Sequence, residues 1–168
     1  MIILVMGVAG AGKSTVGRLL AEVMGFAFAD ADAFHPAANV AKMRRGEPLD
    51  DADRMPWLRA IADAIAGWQR DGQNVVLACS ALKRSYRAML RPGPARVELV
   101  YLKGSPDLLR ARLEGRIGHF AGSNLLESQL AALEEPEDAL TFDIAAPPEA
   151  LVGAIRAALA VSGAPAAG

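Results

Sequence analysis

Cysteine is almost absent. The chain has 168 residues and one Cys, Cys79, so no internal disulfide framework can form and a reducing compartment suits it. Histidine is nearly as scarce, at two residues, and no second His or Cys stands in a spacing that would propose zinc. Charge of either sign is not in excess: the net value is −1, which removes any global attraction to nucleic acid or an anionic membrane. No apolar run approaches the ~20 residues of a spanning helix. The N-terminus enters an apolar run directly, without a basic leader or cleavage site, so the expectation is a soluble cytoplasmic domain. There is no internal repeat and no low-complexity linker. What the chain does hold is apolar bulk, 52% of residues, in a length suited to one domain. The expectation is a single unit over 1–161, with 162–168 as a small, aperiodic tail.

The most informative stretch is Gly7-Val8-Ala9-Gly10-Ala11-Gly12-Lys13-Ser14. It fits G-x-x-x-x-G-K-[ST], the loop whose backbone N–H groups cradle phosphates. Its context agrees. Ile2-Ile3-Leu4-Val5-Met6 is an apolar run of strand length, and Val16, Leu19, Leu20, Val23 and Met24 recur at helical spacing after it. Glycines let the backbone approach a phosphate closely, and the helix N-terminus adds a favourable dipole. In such a loop Lys13 reaches the β- and γ-phosphates and the Ser14 hydroxyl sits on Mg²⁺.

Residues 26–29 read as a second strand running into Asp30-Ala31-Asp32-Ala33-Phe34-His35-Pro36. Spacing alone leaves two readings of the acid pair: a site for metal and phosphoryl acceptor, or an Asp-rich turn bonding its own backbone. A short basic helix is expected over 39–46, and Asp50 or Asp51 can cap the next one. There Trp57, Ile61, Ile65 and Trp68 form a core stripe, while Arg54 sits in the first turn, where a cation does not help the helix dipole. Residues 75–79 are apolar throughout, as a strand buried on both faces requires, and Cys79 reads as a small core residue. Ser80, Lys83, Arg84 and Arg87 follow at the end of that strand, where open α/β sheets bind ligands. Another strand spans 97–102, and Ser105-Pro106 opens a helix. Arg112 and Arg116 share one face of it at i, i+4. The glycine-bounded segment 118–122, with His119, then suggests a lid over 115–128 that closes on a nucleotide. A fifth strand is expected over 142–145, and Pro147-Pro148 opens a last helix carrying Leu151, Val152, Ile155 and Leu159. Strands alternating with helices make an α/β fold with a mostly parallel sheet covered on both faces.

Several nucleotide-binding classes can be weighed. The Asp-x-x-Gly and Asn-Lys-x-Asp signatures of a GTPase are missing, and a motor or transporter ATPase would be larger. A small-molecule or nucleotide kinase fits. A non-catalytic nucleotide-binding module stays open, although pure binding needs no groups aimed at a transferring phosphoryl.

From Met6 to about Pro136 the chain resembles the gluconokinases of the nucleoside-monophosphate-kinase-like P-loop group. The resemblance rests on the loop at 7–14, Asp30-Ala31-Asp32, Phe34-His35-Pro36, Asn39, Lys42-Met43, Gly46-Glu47-Pro48-Leu49, Asp51, Asp53-Arg54 and Pro56-Trp57-Leu58. It continues through Cys79-Ser80-Ala81-Leu82-Lys83, Tyr86-Arg87, Arg112-Leu113, Arg116, Gly118-His119-Phe120, Ser128-Gln129 and Leu133-Glu134. Ala31 departs from the Gly usual between the two acids. The resemblance implies a P-loop NTPase three-layer sandwich, a five-stranded parallel sheet in the order 2-3-1-4-5, a lid and a homodimer. It also implies transfer of the ATP γ-phosphoryl to D-gluconate, with shikimate or a nucleoside monophosphate as the alternative acceptor. On that resemblance Gly7, Val8, Ala9, Gly10, Ala11, Gly12, Lys13, Ser14 and Thr15 bind ATP. Ser14 and Asp30 hold Mg²⁺, and Asp32 orients the gluconate 6-hydroxyl. Arg54 grips its carboxylate, with His35, Ser80 and Lys83 lining the pocket. Arg112 and Arg116 meet the transferring group, and His119 belongs to the lid.

Overall fold

The structure, a computed structural model, describes residues 1–91, 97–115 and 121–162. Its centre is β1, Ile2–Met6, every residue of which is buried. Alternation along the strand divides it between two cores. Ile3 and Val5 face one way, toward α1 (Lys13–Met24) and α7 (Pro148–Ser162), whose Val16, Leu20, Leu151, Val152 and Ile155 pack there. Ile2, Leu4 and Met6 face the other way, toward Trp57, Leu58, Ile61 and Ile65 of α3 (Asp51–Arg70). Each fully buried Leu or Ile side chain is worth roughly 1.5–3 kcal/mol, so this strand alone anchors both layers.

The other strands are β2 (Ala27–Asp30), β3 (Val75–Ala78), β4 (Val97–Lys103) and β5 (Leu140–Asp143). All pairings are parallel, and the order is β2-β3-β1-β4-β5, as the resemblance implied. The remaining helices are α2 (Ala37–Arg44), α4 (Arg84–Met89), α5 (Pro106–Glu114) and α6 (Ala121–Ala132).

Local signals placed most boundaries. Asp50, rather than Asp51, is the N-cap of α3 and forms a capping box with Asp53, which leaves Asp51 free for other contacts. Ser105 caps α5 with Pro106 at its start. Two strands shift. Phe26 N–H closes the end of α1 on Ala21 O, so β2 starts one residue later than expected and includes Asp30. β5 ends at Asp143, because the Asp143 carboxylate turns the chain by accepting from Ala145 N–H. Of the span expected as a lid, 116–120 lies outside the described residues, and from Ala121 the chain is α6.

Candidate active site

The loop between β1 and α1 curls through two glycines in the left-handed region, Gly10 at φ +80° and Gly12 at φ +87°, where a Cβ would be strained. Lys13 Nζ donates back to Val8 O at 3.1 Å, and Ala11 N–H to the same carbonyl at 3.2 Å. Among the described residues, the N–H groups of Gly10, Gly12, Lys13, Ser14 and Thr15 find no protein acceptor, and α1 has no side-chain cap. Unsatisfied donors at a helix N-terminus form a ready anion site. Two expected donors are engaged elsewhere, Ala11 N–H by Val8 O and Ala9 N–H at 2.6 Å by Gln129 Oε1 of α6, so the open cradle begins at Gly10.

Beside the cradle stands the acid pair. Asp30 ends β2, and its Oδ2 accepts from Ser14 Oγ at 2.8 Å, while Oδ1 accepts from Asp32 N–H at 3.1 Å. Asp32 lies in the short 3₁₀ turn Ala31–Phe34. Asp30 therefore shapes a turn, one of the two readings of the pair, and it also reaches the phosphate loop. Ala31, between the two acids, sits without backbone strain, because its φ is not positive, and its methyl is fully buried. Burial pushes the Lys13 ammonium pKa down, and the nearby carboxylates of Asp32 and Asp30 oppose that shift. A hydroxyl and a carboxylate at 2.8 Å are hard oxygen donors of the kind Mg²⁺ takes. No cluster of three metal-binding side chains occurs among the described residues. That suits a cation that keeps its waters and borrows phosphate oxygens.

Beside the acid turn stand α2 and α3. Trp57, expected only as core, does more: its Nε1–H donates to Ala31 O at 2.7 Å, and its ring stacks on His35 at 4.6 Å and 9°. It thereby positions the acid turn and His35 together. Asn39 Nδ2 donates to Asp53 O at 2.8 Å and approaches His35 Nδ1 at 3.4 Å. Lys42 pairs with Asp53 at 2.7 Å, tying α2 to α3. Arg54 Nε and Nη2 both reach Leu49 O at 3.3 Å, and no carboxylate among the described residues pairs with it. Lys83, expected to face the pocket, instead pairs with Asp51 at 2.8 Å, and Tyr86 donates its hydroxyl to the same carboxylate. Ser80 is half-buried at the end of β3. Cys79 is core: burial pushes its thiol up to about 12, which leaves no reactive thiolate.

The environment of His35 gives a pH signature. Burial lowers its pKa, Asp32 raises it, and the Arg54 charge lowers it further, with a net downward shift. The unfolded chain therefore takes up this proton first as pH falls below about 6.5. The stabilising contribution of neutral His35 is complete above that value and is lost as pH falls through the folded pKa. The Tm advantage of the wild type over His35→Gln is expected to shrink between pH 7.5 and 5.5 in thermal scans. An advantage that grew on acidification would mean that His35 gains its proton in the folded state.

At the other edge of the site, a cleft of ≈ 190 Å³ is lined by Gly10, Gly12, Thr15, Arg112, Ala146, Pro148 and Leu151. Arg112 Nη2 donates to Ile144 O at 2.6 Å, just past β5. Asp30 and Ile144 hang from opposite edges of the sheet, roughly 19 Å apart at 4.8 Å per strand. Arg112 lines the cleft, and its Nη1 also stands 3.8 Å from where a Cβ on Gly12 of the phosphate loop would lie. No local motif marks this cleft in the sequence. Arg116 and His119 lie outside the described residues.

A phosphate loop on a 2-3-1-4-5 sheet, with an acid pair bonded to the loop serine, defines a P-loop kinase of the small-molecule type. The shikimate kinase family model matches residues 9–145. The thermoresistant gluconokinase of Escherichia coli (strain K12) is 43% identical over 155 residues, covering 90% of this chain and 89% of that one. The gluconokinase of Gluconobacter oxydans (strain 621H) is 49% identical over 136 residues, 81% of this chain and 76% of that one. The crystal structure of a gluconokinase from Sinorhizobium meliloti 1021 superposes with a TM-score of 0.81 at 41% identity, covering 96% of this chain and 97% of the other. The chain belongs to the gluconokinase family.

Proposed function

We propose that the protein is an ATP-dependent gluconokinase, transferring the γ-phosphoryl to the 6-hydroxyl of D-gluconate to give 6-phosphogluconate and ADP. The observation that carries this reading is the 2.8 Å bond between Ser14 and Asp30, which puts the acid pair against the phosphate loop in a chain more than 40% identical to gluconokinases. The open amides of Gly10, Gly12, Lys13, Ser14 and Thr15 and the Lys13 ammonium hold the phosphates. Ser14 and Asp30 would hold Mg²⁺ there, and when bound it would supply charge neutralisation. Asp32, whose carboxylate accepts no hydrogen bond from the described residues, orients the acceptor hydroxyl and takes its proton. Arg54 has free donors and no acidic partner among the described residues, so its planar fork is available to a carboxylate. His35 and Ser80 complete the acceptor wall. The cleft at Arg112, Ala146 and Pro148 receives the adenosine end, which moves Arg112 from the transferring group to the nucleotide. Arg116 keeps the role of meeting the transferring group, and His119 that of a lid residue, both on the resemblance alone. A homodimer rests on the same resemblance, and a cytoplasmic setting on the composition and the single cysteine. No helix among the described residues is long and apolar enough to cross a membrane.

ADP release measured over gluconate and other aldonates, shikimate and nucleoside monophosphates tests the reading. Gluconate is expected to give by far the fastest turnover. Faster turnover with shikimate or a nucleotide, or none with any acceptor, would overturn it. In the same assay Arg54→Lys should raise the gluconate KM about tenfold or more, the loss of a charge-assisted bidentate contact. The ATP KM should hold within about twofold, and an unchanged gluconate KM would remove Arg54 from carboxylate recognition.

A further inference from the structure

Between the end of β3 and the start of α4 the chain makes a costly turn. Ala81 has φ +44°, the one non-glycine residue with positive φ among the described residues, and it is fully buried. An alanine there is strained. Arg87, one turn into α4, is only 5% exposed and has no carboxylate within ion-pair distance among the described residues. Its charge is directed instead at the turn: Nη1 donates to Ala81 O at 3.0 Å and to Leu82 O at 2.8 Å. Glu134 N–H adds a second bond to Leu82 O, at 3.0 Å. Burying a guanidinium whose hydrogen bonds go to carbonyls is unfavourable: burial pushes its pKa down, although the charges of Asp138 and Glu134 oppose that shift.

Two unfavourable features therefore meet in one turn, whose first residue is Ser80 and whose last is Lys83. The planarity of the peptide explains what they accomplish. With the carbonyls of Ala81 and Leu82 drawn toward Arg87, the N–H groups in the same two peptide planes, those of Leu82 and Lys83, point the opposite way. Neither N–H has a protein acceptor among the described residues. The C-terminal end of a central strand is where an open α/β sheet receives its ligand.

We propose that Arg87 is a positioning residue for the acceptor: it holds the Ala81 turn in its strained form, so that Ser80 and the two free amides are presented to the oxygens of a polyhydroxy acid. The inference rests on the acceptor reading of Ser80 given above. It adds a residue that never touches substrate and a backbone recognition surface that no side-chain motif reveals.

The test is steady-state kinetics on Arg87→Met and Arg87→Lys, using whichever acceptor the wild type turns over fastest. Arg87→Met is expected to raise the acceptor KM about tenfold, with the ATP KM within about twofold and kcat reduced less than about fivefold. Arg87→Lys, which can reach one carbonyl, should shift the same constant in the same sense by less, and it supplies the readout if the Met variant does not fold. Adding Ala81→Gly to Arg87→Met, or to Arg87→Lys in that event, should recover about threefold or more of the lost acceptor affinity, because glycine takes positive φ freely. A merely structural arginine would lower Tm while leaving the acceptor KM of the folded enzyme unchanged. That result, a parallel rise in the ATP KM, or absence of glycine rescue would each overturn the proposal. If the fastest acceptor is not gluconate, the substrate reading fails, while the Arg87 inference is still decided by the KM split.

Discussion

Asp32→Asn is expected to lower kcat by about 10²–10⁴, the range that general-base assistance supplies, while leaving the ATP KM within about threefold. The substitution keeps the shape of the side chain and removes its charge and basicity. Structural damage should be small. The Asp32 carboxylate holds none of the hydrogen bonds that build the 3₁₀ turn; those run from Asp32 N–H to Asp30 and from Trp57 to Ala31 O. Ser14 and Asp30 keep their bond, so the metal-binding pair persists. The assay is ADP release at saturating ATP, with nucleotide affinity measured separately by equilibrium titration. Turnover within about threefold of wild type would remove Asp32 from the chemistry. Loss of nucleotide affinity alongside kcat would instead make it a partner of Lys13 in the ground state.

Lys13→Met should cost about 10²–10³ in kcat, the scale for removing one preorganised cation or donor from a developing negative charge. Unlike Asp32→Asn, it should also raise the ATP KM, because Lys13 meets the phosphates before as well as during transfer. The fold should not suffer. In the free enzyme the ammonium is half-buried, is held by a single carbonyl, Val8 O, and has its pKa depressed by burial. Replacing such a cation by an apolar chain of similar length is expected to leave Tm unchanged or to raise it. Thermal scans beside the kinetics separate the two effects. Wild-type turnover would overturn the phosphate assignment, and a large drop in Tm would show that the lysine holds the loop together.

Local chemistry made much of this legible beforehand. The phosphate loop, the capping of α3 and α5 and the stripe of Trp57, Ile61 and Ile65 are written in spacings of a few residues, and the structure realises them. The acid pair was legible as a pair, but only the folded chain brings Asp30 to Ser14. What stayed hidden is long-range. Gln129 reaches Ala9 across 120 residues of sequence, and Trp57 reaches Ala31 across 26. Neither contact has a periodic signature. The partners of Lys83 and Arg112 were hidden for the same reason: a cation's type is visible in sequence, whereas its partner, Asp51 for one and Ile144 O for the other, is set by packing. The nucleotide cleft is assembled from the loop, α5 and the start of α7, so no single stretch announces it.

The outer strands β2 and β5 carry different duties, with three strands between them. Nothing lining the nucleotide cleft comes from the stretch between β2 and β3. On the proposed reading Asp32, His35 and Arg54 lie in that stretch, so variation there can retune what is phosphorylated while the residues lining the cleft stay the same. A lineage built on this plan can diversify its diet by editing one contiguous margin of the molecule and inherit its power supply unaltered.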